Sequence, residues 1–179
     1  MQAAARGDIN SMKVSISQGT QVDAEDSSGW TALMYAATSE KSDPVQLLLQ
    51  AGANPNHKSL SGDTPLMASA IAGSFDEDLF HAGADINAKN SDGVTTLMIL
   101  AAKGEADEIL DALKANADAF AKDSKGRSAL DYLNLANCGK SPIREKSYFE
   151  TGGNCDHLDE EDVRKAISAL KTAKRQRKN

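Results

Sequence analysis

Four times between Gly29 and Gly126 the chain repeats one short phrase: GWTALMYAA, GDTPLMASA, GVTTLMILA and GRSALDYLN. The leading glycines, Gly29, Gly62, Gly93 and Gly126, stand 33, 31 and 33 residues apart. Ten residues before each lies a second landmark: Gly19, Gly52, Gly83 and Asn116. Self-similarity at such a period marks a stack of supersecondary units, none able to bury its apolar face alone.

The roles within one unit follow from the residues. Thr31 and Thr64 precede apolar runs and suit a helix start, because a threonine hydroxyl accepts a backbone N–H there. Pro65 sits in the first turn, where its missing N–H costs nothing. Leu33 with Ala36 and Ala37, Leu66 with Ala70, and Leu97 with Leu100 and Ala101 recur at helical spacing with a small-residue face. A second helix is expected around Met12, Val14 and Ile16, then Val45 to Leu49, then Ile109, Leu110 and Leu113, with Pro44 marking one start. The second landmark should end it in a left-handed residue, a position Asn116 tolerates better than other non-glycines. Stretches such as NPNHKSLSGD are polar and turn-rich, suiting hairpin-like loops. Helices this short are not stable alone in water, so stacking must hold them.

The pattern resembles the ankyrin repeat, whose phrase is a glycine followed by T-P-L-H-x-A-A, over residues 1–133. The resemblance implies an all-α solenoid of stacked helix-turn-helix units joined by hairpin-like loops. A truncated first repeat spans 1–28, full repeats start at Gly29, Gly62 and Gly93, and a partial one starts at Gly126. The family histidine is replaced by Met34, Met67 and Met98, which should loosen the network between loops. Regular placement favours packing over a methionine-rich binding site. The repeat from Gly62 is two residues short between Gly73 and Gly83. Ser74 and Glu77 could form a capping box there, leaving Phe75 to His81 as a short second helix filled by Phe75, Leu79 and Phe80. A tolerated deletion and a bend in the concave surface are both open.

Past Leu133 the register fades. Residues 134–158 read as loop, with Tyr148 and Phe149 docking on the last repeat. Residues 159–179 read as a capping helix, acidic at its start, ending in the basic tail KTAKRQRK. Cys138 and Cys155 are read as unpaired thiols; with His157 they match no zinc spacing, and a disulfide would need an oxidising compartment.

Charge narrows the partner. Residues 1–133 carry 10 Lys and Arg against 19 Asp and Glu, whereas 134–179 carry 10 against 7. An acidic body disfavours nucleic acid as a ligand of the repeats. No G-x-S-x-G, P-loop, H-E-x-x-H or dinucleotide phrase occurs, and His57, His81 and His157 occupy unrelated positions. The expectation is a non-catalytic protein without cofactor, metal or small-molecule substrate. With no signal peptide or membrane-length apolar stretch, it is read as cytoplasmic, or nuclear in a eukaryote, and monomeric in isolation.

The resemblance implies a protein partner bound on the concave face of loop tips and first helices. Carried over to this chain, the tip positions of the first full repeat are Ser27, Ser28 and Trp30. Those of the next are Leu60, Ser61 and Asp63, followed by Ser91, Asp92 and Val94, then Lys125 and Arg127. First-helix ends add Thr38, Ser39, Ile71 and Lys103. Trp30, Leu60, Ile71 and Val94 are the expected exposed apolar side chains, with Trp30 as anchor or, alternatively, packed on the adjacent loop. Two other readings stand beside this one: an inhibitor or antitoxin-like protein blocking an enzyme with its acidic face, and a nucleic-acid-associated protein using the basic tail.

Overall fold

Short helices in pairs, with tight hairpins between the pairs, make up the structure. A computed structural model describes residues 1–39, 41–137, 165, 168–170 and 172. Among them are α1 (Gln2–Arg6), α2 (Ile9–Ser17), α3 (Ala32–Ala37), α4 (Ser42–Gln50) and α5 (Pro65–Ala72). These are followed by α6 (Glu77–His81), α7 (Thr96–Lys103), α8 (Ala106–Lys114) and α9 (Ala129–Asn137); no strand occurs among the described residues. The chain forms two compact units, Met1–Ser91 and Asp92–Asn179.

In the first unit the helices form two rows. α1, α3 and α5 pack in sequence as one row, α2, α4 and α6 as the other, and each pair also packs on itself. Leu33, Met34, Leu66, Met67 and Leu79 are completely buried between them, with Ala36 and Ala70 filling the close approaches. In the second unit α7 packs against both α8 and α9, around Leu100, Ile109, Tyr132 and Leu133. Met98 is buried like Met34 and Met67, so the three methionines pack inside rather than line a surface. Burying one such side chain contributes about 1.5–3 kcal/mol.

Local chemistry sets the ends of the helices. Thr31, Thr64 and Thr95 each cap a first helix, their hydroxyls accepting the N–H of Met34, Met67 and Met98. Second helices close at the second landmark with a left-handed residue and paired bonds. Asn116 shows this well: at φ 64°, its N–H donates to the Leu113 carbonyl (3.1 Å) and the Ala117 N–H to that of Ala112 (3.0 Å). It is the only non-glycine with positive φ among the described residues.

The short repeat differs from expectation at one end. α6 has five residues, and its cap is Asp76, whose carboxylate accepts the Leu79 N–H, not Ser74. Ser74 is committed elsewhere: its N–H donates to the Ser69 carbonyl (3.1 Å), closing α5. Phe75 and Leu79 are buried as expected, and the Phe75 and Phe80 rings lie 6.0 Å apart. Beside the shortened helix a polar cavity of about 410 Å³ opens between the start of α4 and residues 74–78.

Loops are tied side by side by polar groups. The Asn54 N–H donates to Asp23 (3.0 Å), while the Asn56 amide donates to the Gly83 carbonyl (2.9 Å) and accepts the Asp85 N–H (2.7 Å). In the second unit α9 runs to Asn137, past the point where the repeat register fades. Lys165, Ser168, Ala169, Leu170 and Thr172 are helical, Leu170 is buried, and Lys165 lies 3.9 Å from Asp107. The rest of 138–179 lies outside the described residues. That includes the loop carrying Tyr148 and Phe149, the residues Cys138, Cys155 and His157, and the basic tail.

Candidate partner-binding surface

The tips are built by main-chain chemistry. In the first, the Gly29 N–H donates to the Asp26 carbonyl (3.0 Å) and the Asp26 N–H to the Trp30 carbonyl (2.9 Å). This is a three-residue hairpin closed by a glycine at φ 75°. The next tip rests directly on it: the Leu60 N–H donates to the Ser28 carbonyl (3.0 Å), and a Cβ on Gly29 would stand 2.7 Å from the Leu60 nitrogen. The Ser91 N–H repeats the bond to the Ser61 carbonyl (2.9 Å). In the second unit the Ser124 N–H donates to the Asp92 carbonyl (2.8 Å). A ladder of tips touching through backbone follows, with side chains projecting from it.

In the first unit, Ser27, Ser28, Leu60 and Ser91 are exposed. Leu60, at 77% exposure, is the most exposed large apolar side chain among the described residues. Trp30 is half-buried, its ring 5.2 Å from Tyr35 at an interplanar angle of 55°. Ile71 and Ser61 are also half-buried. Thr38 and Ser39 turn their hydroxyls onto their own helix, donating to the Tyr35 (2.8 Å) and Ala36 (2.6 Å) carbonyls.

Two expected tip residues are buried, and a third is half-buried and held by side-chain partners. Asp63 is only 6% exposed; its carboxylate accepts from the Asn90 amide (2.8 Å) and the Ser61 hydroxyl. Val94 is 8% exposed, contrary to the expectation of an exposed apolar side chain. The Arg127 guanidinium is held by the Asp123 carboxylate at 2.7 Å and the Tyr132 hydroxyl at 2.9 Å. In the second unit Lys125 is exposed and Asp92 half-buried. Lys103 is half-buried too, and desolvation lowers its ammonium pKa against the opposing charge of Glu105.

Sequence reasoning passed over the acid at the base of two tips. Asp26 accepts the N–H groups of Ser28 (2.7 Å) and Trp30 (2.9 Å) and the Tyr35 hydroxyl (2.6 Å). The Tyr35 and Trp30 bonds lower its pKa, and the same carboxylate raises that of Tyr35. Asp123 does the same with Lys125 (2.9 Å), Arg127 (2.7 Å) and Tyr132 (2.8 Å). Burial pushes its pKa up, but these hydrogen bonds outweigh burial and the net shift is downward. Tyr132, buried and facing that carboxylate, is shifted strongly upward. The signal was present in the sequence: an aspartate at the turn and a tyrosine nine residues later, in the first and last tips only.

Among the described residues no three His, Cys, Asp or Glu side chains are placed to hold a metal ion, and no helix is long and apolar enough to cross a membrane. His57 lies in a loop, its Nε2 3.2 Å from Glu25.

Paired helices, left-handed helix ends and stacked hairpin tips define a repeat protein of the ankyrin type. Residues 1–78 match the family model described as ankyrin repeats (3 copies), and that part of the chain is an ankyrin-repeat region. It is 43% identical over 56 residues to the mitochondrial disaggregase of Bos taurus, covering 31% of this chain and 8% of that one. It is 38% identical over 69 residues to the inactive serine/threonine-protein kinase TEX14 of Bos taurus (38% of this chain, 5% of that one). With the human 2-5A-dependent ribonuclease it shares 35% over 75 residues (41% of this chain, 10% of that one). The chain thus spans a tenth or less of these relatives. Ankyrin repeats are generally protein–protein interaction modules and typically non-catalytic.

Proposed function

We propose that the chain is a non-catalytic binding module that takes a protein partner on the tips of its first unit, with Trp30 and Leu60 at the centre. One observation carries this reading: Leu60, 77% exposed, extends from a tip whose backbone is already hydrogen-bonded to the tip before it. An apolar side chain on a fixed backbone loses little conformational freedom on binding, which is what an interface anchor requires. Around it stand Ser27, Ser28, Ser61 and Ser91, neutral groups able to hydrogen-bond at a rim. Thr38, Ser39 and Ile71 extend the surface onto the first helices.

The test is affinity capture from native lysate with quantitative mass spectrometry, comparing the wild type with Trp30→Ala/Leu60→Ser after matching their melting curves. A protein held by the wild type and lost by the variant supports the tip face. Because the tip is apolar and neutral, capture should survive elevated salt. Equal retention by both proteins would remove the tips as the binding site.

A further inference from the structure

The residue following each leading glycine has one of two fates, and these run parallel to the turn residue and the residue nine positions on. In the first tip these are Asp26 and Tyr35, and Trp30 lies against the tyrosine ring. In the last they are Asp123 and Tyr132, and Arg127 lies 4.8 Å over that ring. In the two interior repeats the turn residues are Ser59 and Asn90 and the later positions are Ala68 and Ile99. There the residue after glycine, Asp63 or Val94, is buried.

We propose that Asp26 and Tyr35 are positioning residues, a clamp that fixes the Trp30 indole in the orientation used for binding. One carboxylate oxygen fixes the Trp30 backbone through its N–H (2.9 Å), and the other fixes the Tyr35 hydroxyl (2.6 Å). The tyrosine ring, immobilised at its far end, then limits the indole from one side, in tilted contact at 5.2 Å. The anchor thereby meets its partner already ordered. This rests on the reading of Trp30 as a contact residue, and it adds the means by which that residue is prepared. The Asp123–Tyr132 pair treats Arg127 in the same way within the second unit, so the device belongs to the repeat and not to tryptophan.

Trp30 is the only tryptophan in the chain, so its fluorescence reports on this position alone. Iodide quenching and the anisotropy decay of the indole are measured for the wild type, Tyr35→Phe and Tyr35→Ala, with Tyr132→Phe as a control in the other unit. Tyr35→Phe keeps the ring and removes only the bond to Asp26. Faster local depolarisation and stronger quenching are expected in Tyr35→Phe, more so in Tyr35→Ala, and no change in Tyr132→Phe. Capture by Tyr35→Phe should weaken roughly threefold to tenfold, the cost of ordering one side chain on binding. An indole equally ordered in Tyr35→Phe, Tyr35→Ala and wild type would overturn the clamp and leave the tip surface standing. An indole freed in the variants with capture undiminished would remove Trp30 as anchor, and the clamp's role in binding with it.

Discussion

Gly29, Gly62 and Gly126 share one backbone conformation, with φ of 75°, 77° and 76°, but not one environment. That makes alanine substitution a measurement of tip-to-tip contact. At Gly126 a Cβ would meet no described atom within 4 Å, so Gly126→Ala carries only the left-handed strain, about 1–2 kcal/mol. At Gly29 the same methyl would stand 2.7 Å from the Leu60 nitrogen and 3.2 Å from Ser59 Cα, both backbone atoms that cannot swing aside. The tips must separate, and the Leu60 N–H to Ser28 carbonyl bond, worth about 1 kcal/mol net, is lost with their contact. Gly29→Ala should therefore cost about 2–4 kcal/mol in total. Gly62→Ala, with its nearest atom at 2.9 Å, should fall just below it. Urea denaturation with linear extrapolation resolves differences of this size. Hydrogen exchange at the Leu60 amide should quicken in Gly29→Ala and not in Gly126→Ala. Equal losses at Gly29 and Gly126 would refute the argument, because strain alone would then account for both.

Burial raises the pKa of Asp76, with a smaller push from Asp78, so its charge opposes the fold. Its stabilising contribution is full below the unfolded value, near 4, and is lost as pH rises through the folded one. Asp76→Asn keeps a cap of equal quality, so it should melt higher than wild type at pH 7 by an amount under about 1 kcal/mol and converge with it near pH 4. Paired thermal melts at the two values check this, and a constant difference would contradict it. Tyr132→Phe removes a hydroxyl that donates to Asp123 and accepts from Arg127 inside the second unit. Hydrogen bonds to charged groups of this kind contribute about 1.5–3 kcal/mol, and the urea midpoint should fall accordingly. A loss below about 0.5 kcal/mol would mean that the aspartate finds other donors.

What the sequence revealed is what backbone geometry demands. The period, the threonine caps and the left-handed ends at Gly52 and Asn116 need particular residues at fixed offsets, and each has one dominant physical cause. The shortened helix was harder, because Ser74 satisfies a cap motif locally while its N–H is used to close α5. The tip surface was least legible. Whether a residue such as Asp63 faces outward depends on the partners its side chain finds, here Ser61 and Asn90, and not on its place in the repeat alone. Trp30 and Asp63 occupy equivalent places, but an aspartate and a tyrosine flank only the first.

Since neighbouring tips meet through N–H and carbonyl groups common to every residue, the letters at 27, 28, 60 and 91 are largely released from holding the stack together. Selection can rewrite them one at a time, and so can an engineer grafting a new specificity, without renegotiating the fold. The spacing between glycines has less freedom, and where it changes, in the repeat from Gly62, the loss falls in the second helix and leaves the tips paired. Heredity in such a chain is therefore of two kinds: a meter that is kept, and a text that drifts with whatever it is required to bind.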